Sequence, residues 1–83
     1  MDDTITIERI ERYFSLTAEA RAKATPATRN PEDEVRLRIM VRMCDDYVAD
    51  ARHFMETGDF VGAFGAINYA HAWLDAAVRI GLM

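Results

Sequence analysis

Apolar residues recur at intervals of three and four in three stretches of the chain, and proline, glycine and capping residues mark the breaks between them. The strongest period is Leu37, Met40/Val41, Cys44, Tyr47/Val48, Ala51 and Phe54/Met55. That spacing places one continuous stripe on a helix, predicted over about residues 31–57. Its start is marked sharply. Asn30 suits the N-cap, Pro31 fits the first helical position, and Glu32, Asp33 and Glu34 put negative charge in the first turn. Glu32–Arg36, Glu34–Arg38 and Arg52–Glu56 stand four apart and are expected to pair, each for about 0.2–0.5 kcal/mol. The helix should end near Thr57, with Gly58 as a left-handed cap.

An earlier helix is predicted over about residues 5–23, capped by Asp3 or Thr4. Ile7, Ile10, Phe14 and Ala18 form its stripe, and Glu8 sits favourably for the helix dipole. The half from Thr17 to Ala24 is alanine-rich without a large apolar residue, so it is expected to pack weakly and fray. Residues 25–31, with Pro26 and Pro31 and no apolar period, form a connector. A third helix is predicted over about residues 60–80, capped by Asp59 and closed by Gly81. The two-residue link Gly58-Asp59 would fold the last two helices into a tight antiparallel hairpin. The expected fold is therefore all-α, a three-helix up-down-up antiparallel bundle in one domain spanning residues 1–83.

The third helix is apolar around most of its circumference. One stripe holds Phe60, Ala63, Phe64, Ile67, Ala70, Leu74, Ala77 and Val78, and a second holds Ala66, Tyr69, Trp73, Ala76 and Ile80. A helix covered on two sides would be the centre of the bundle, with one neighbour on each stripe. The other possibility is that the stripe with Tyr69, Trp73 and Ile80 stays partly open and meets a second copy or another protein, since aromatic anchors are enriched at interfaces.

Composition narrows the class. A chain of 83 residues that is 51% hydrophobic can build one small core without disulfides or metals, and Cys44 is its only cysteine. Fourteen acids against ten bases, a net charge of −4, argue against a protein held to nucleic acid by phosphate contacts. The acidic start Met1-Asp2-Asp3-Thr4 lacks the core of a secretory signal, and no stretch approaches the roughly 18 apolar residues of a membrane span, so a cytoplasmic location is expected.

Candidate chemistry gathers on the third helix. Asn68, His71, Asp75 and Arg79 are spaced three, four and four, so His71 can meet Asp75 and Asp75 can meet Arg79. A carboxylate between an imidazole and a guanidinium is usable for acid–base or phosphate chemistry; more often such a line is a structural network, with Asp75 neutralising Arg79 and both tethering the helix to a neighbour. Asp75 and Arg79 are expected near buried surface, where an unpaired charge would cost several kcal/mol. Asp46, Asp50 and His53 share a face of the second helix but lack matching ligands on the others, so no metal site is expected. There is no glycine-rich phosphate loop, Cys-x-x-Cys or nucleophile elbow, and no cofactor or catalytic residue is assigned.

Gly58-Asp59, Ala63, Ile67, Tyr69-Ala70, Trp73-Leu74-Asp75-Ala76 and Arg79-Ile80-Gly81-Leu82 resemble the short archaeal proteins of domain of unknown function 357, with Asp46, Tyr47 and Phe54 compatible upstream. The resemblance implies a compact helical bundle and no activity. A more distant similarity links the Gly-Asp-aromatic hairpin to the helical prokaryotic nucleotide-binding superfamily. Its ribonuclease members place an Arg four to six residues before a His, and no Arg stands so before His71. The expected function is a non-enzymatic protein-interaction or self-association module, as a homodimer or with another protein. The alternative is a ligand- or nucleotide-binding domain using the Asn68/His71/Asp75/Arg79 line.

Overall fold

The computed structural model describes residues 5–83. Three helices make up the fold: α1 (Ile7–Lys23), α2 (Pro31–Glu56) and α3 (Phe60–Arg79). No strand occurs among the described residues. Tyr13 meets Phe64 and Thr17 meets His71, so α1 runs parallel to α3. Phe14 meets Arg52 and Arg21 meets Asp45, so α1 is antiparallel to α2. The bundle is thus up-down-up, as the sequence implies, and α3 is the helix against which both others pack. Its 45 × 23 × 19 Å outline is set by α2, whose 26 residues extend about 39 Å at 1.5 Å per residue.

The hairpin turn follows from its residues. Thr57 leaves the helix as the C-cap, which makes the link one residue longer than the two expected. Gly58 takes φ 79°, a region that costs other residues a clash at Cβ. The Gly58 N–H then donates to the Met55 carbonyl (3.2 Å) and the Asp59 N–H to the Phe54 carbonyl (2.9 Å), satisfying the open end of α2. Asp59 starts α3 at once, its carboxylate accepting the Gly62 N–H at 2.8 Å. The same closure recurs after α3: Gly81 has φ 84°, its N–H donates to Val78, and the Leu82 N–H donates to Ala77 at 2.9 Å. Leu82 is thereby turned into the core, and its carbonyl accepts the Ala27 N–H at 2.9 Å, tying the proline connector to the end of the chain.

The core is narrow. Cys44, Ala51, Ala66, Ile67, Ala70 and Leu74 form one buried cluster, and Leu37, Ala77 and Leu82 form a second. Ala63, Ala66, Ala70 and Ala77 lie on the buried side of α3, so neighbouring helices can approach near the short end of the usual 8–10 Å range. Burying Ile67 or Leu74 contributes about 1.5–3 kcal/mol each.

Several expectations need correction. Asp3 and Thr4 lie outside the described residues; the cap of α1 is Thr6, whose hydroxyl accepts the Arg9 N–H at 3.1 Å, and Ile5 precedes the helix. The stripe of α1 is rotated: Ile10 and Thr17 are buried, whereas Ile7 and Ala18 are exposed. The alanine-rich half does not pack weakly, because Ala20 and Ala24 sit against the main cluster and Thr17 is 2% exposed. Val78 is on the outside, 47% exposed, rather than in the buried stripe. In α2 the ion pairs are Asp33–Arg36 (3.2 Å) and a long Arg42–Asp46 contact (3.8 Å), rather than the three pairs read from spacing.

Candidate functional site

The four polar residues of α3 share an arc but do not converge. Asn68 spends its amide on its own helix, donating from Nδ2 to the Phe64 carbonyl at 2.8 Å. His71 turns away from Asp75 and toward α1, where Nδ1 lies 3.2 Å from the Thr17 hydroxyl. Asp75 and Arg79 pair across one turn at 2.8 Å, with side chains 49% and 76% exposed. The expectation that this pair lies near buried surface is therefore wrong. α1 meets the arc at His71, whereas the Asp75–Arg79 pair stands in water, where such pairs contribute about 0.2–1 kcal/mol.

The hollows of the surface lie elsewhere. One of about 330 Å³ separates α1 from α2 and is lined by Phe14, Thr17, Cys44, Val48 and Arg52, with the Arg52 guanidinium 5.2 Å from the centre of the Phe14 ring. Burial pushes the Cys44 thiol up, the neighbouring Asp45 adding to it, so it holds its proton more firmly than a free cysteine. Arg21 bonds Asp45 across the same hollow at 3.2 Å, and that bond raises the guanidinium further above its ordinary value. A broader groove of about 1050 Å³ runs beside the connector, where Arg21, Arg38 and Arg42 are matched by Glu34, Asp45 and Asp46, so it presents no single sign of charge. Neither hollow is lined by Asn68, His71, Asp75 or Arg79. Asp46, Asp50 and His53 are all exposed on α2. No group of three metal-ligating side chains stands together among the described residues.

The side of the α2/α3 hairpin away from α1 is different in kind. Tyr69 is 52% exposed and stacks edge-on against Tyr47 (4.6 Å between centroids) and Trp73 (6.4 Å). Trp73 is half-buried against the core, and Ile80 farther along is 63% exposed. Gly65 precedes them and Ala72 and Ala76 fall between them, none with more than a methyl group as its side chain. An uncharged aromatic strip of this kind can bury against another surface.

Spacing puts Tyr69, Trp73 and Ile80 on one side of α3, and the structure places them there with Tyr47 beside Tyr69. Tyr47 lies within the α2 period and reads as core, yet it helps to frame the open strip. Thr17 has a signal that goes unused: it stands one heptad after Ile10, in register with the face that α1 buries. No described helix is long and apolar enough to cross a membrane. No curated protein and no solved structure matches the chain. A family does: residues 12–83 match the one described as protein of unknown function (DUF357), and the chain belongs to that family.

Proposed function

We propose that the protein is a non-enzymatic cytoplasmic module that works by docking to a polypeptide through the strip of α3 carrying Tyr69, Trp73 and Ile80. The observation that carries this reading is Tyr69, a large ring about half exposed at the middle of an uncharged helix face. Exposing an aromatic ring forgoes the favourable burial that a small core most needs, and rings of this kind are the usual anchors of protein interfaces. Asn68, Asp75 and Arg79, on the adjoining arc, act as its polar rim rather than as a binding pocket. The test is a photoreactive residue placed at the exposed position Ala72. It is expected to yield an adduct with one polypeptide of discrete mass in a native lysate, suppressed by Tyr69→Ala. If no discrete polypeptide adduct forms, or if Tyr69→Ala leaves it intact, the reading fails.

A further inference from the structure

We infer that the occupant of the α3 strip is a second copy of this chain, seated antiparallel about a two-fold axis at Tyr69, with Trp73 of each protomer covering Gly65 of its partner. This rests on the docking reading above and names the partner. Gly65 is the point of departure. It lies inside α3, exposed, and a Cβ built there would meet nothing within 4 Å. The other glycines have internal reasons. Gly58 and Gly81 hold φ of 79° and 84°, and a Cβ on Gly62 would come within 2.6 Å of the Asp59 carboxylate that caps the helix. Glycine is the poorest helix former after proline, and nothing within the chain requires one at residue 65. A surface approaching from outside would.

The spacing of the strip says which surface. Gly62, Gly65, Tyr69, Trp73, Ala76 and Ile80 follow one another by three, four, four, three and four residues, which keeps them on one stripe. Reversed about Tyr69, the stripe fits itself. Gly62 falls opposite Ala76, small against small, and Trp73 falls opposite Gly65, the largest side chain against none. Tyr69 meets its own copy on the axis, as an isologous contact requires. The stripe carries no charge, so a copy of it would bury none unpaired. α2 and α3 of both protomers would then form a four-helix layer, with each α1 on the outside.

The experiment is sedimentation of the full chain at tens of micromolar, with helicity checked by circular dichroism. The parent should be a dimer. Gly65→Leu adds bulk where the monomer has open space, so it should remain helical yet associate roughly a hundredfold more weakly or worse. Trp73→Ala should also weaken the dimer. An equimolar mixture of the two variants should restore it as a heterodimer, because each contact then has one large and one small member. A monomeric parent, or a Gly65→Leu dimer as tight as the parent, overturns the inference, as does a mixture that associates no better than its components. Should Trp73→Ala not fold, the parent and Gly65→Leu decide alone. An Ala72 adduct with a different polypeptide, beside a monomeric parent, would sink the dimer while leaving the docking reading intact.

Discussion

Thr17 is the one buried polar side chain among the described residues, and its hydroxyl is fixed by the imidazole of His71 on the neighbouring helix. Either the hydroxyl donates to an unprotonated Nδ1, or a protonated Nδ1 donates to the hydroxyl; the bond survives in both cases. Thr17→Val keeps the shape and removes the bond, leaving a part-buried nitrogen without its protein partner. The expected loss is about 0.5–1.5 kcal/mol, which a domain of this size shows as a drop in Tm of several degrees. A variant melting at or above the parent would mean that the bond contributes nothing. Asp75 and Arg79 call for the opposite outcome. Asp75→Asn and Arg79→Gln should each change stability by less than about 1 kcal/mol, because the pair is exposed and separated by a single turn. Losses of several kcal/mol in thermal melts would contradict that exposure. The pairing of Asp75 with Arg79 is legible from a spacing of four. Its exposure is not, since that depends on how far α1 reaches around α3, which no local pattern encodes. His71 shows the same limit: spacing offers it Asp75, and tertiary packing gives it Thr17.

At the scale of the helices, ends were more legible than faces. Asn30-Pro31, Gly58-Asp59 and Gly81 are short-range signals with a direct steric or hydrogen-bonding cause, and the helices stop and start where those causes operate. α1 misleads because Ile7 is large and apolar while Thr17 is not, so a stripe drawn through the most hydrophobic residues is rotated from the one that is buried. Threonine at that position packs with its methyl group and bonds with its hydroxyl, and hydropathy registers neither. The glycines make the point testable. Gly58→Ala forces a Cβ into the left-handed region and should cost about 1–2 kcal/mol. Gly62→Ala should disturb the cap by crowding Asp59. Gly65→Ala, at dilutions where only monomer is present, should instead raise stability by up to about 1 kcal/mol. Denaturant titration of the three variants checks the order; Gly65→Ala falling with the other two would show that its helical site is not open.

For the whole molecule, the sequence leads to the bundle, its direction and its central helix, because a tight link between two long amphipathic stretches leaves one arrangement. It does not tell that α1 covers only one side of the hairpin. Two apolar stripes on α3 suggest two covering helices, whereas α2 and α1 both lie toward the buried alanines and leave Tyr69 and Ile80 outside. The three-residue turn at Thr57-Gly58-Asp59 also has a consequence in time. It brings α2 and α3 together across a very short loop, while the contact between Thr17 and His71 joins residues 54 apart in sequence. Closing the short loop loses far less chain entropy, so the hairpin should form in the transition state and α1 should dock afterwards. Leu74→Ala, in the hairpin core, is then expected to slow folding, and Thr17→Val to leave folding nearly unchanged and speed unfolding. Stopped-flow measurements over a range of denaturant would show both; equal slowing of folding by the two variants would place α1 in the nucleus instead. On this order of events, the strip that carries Tyr69 and Trp73 lies entirely on the first-formed unit, and it is complete before the chain has finished folding.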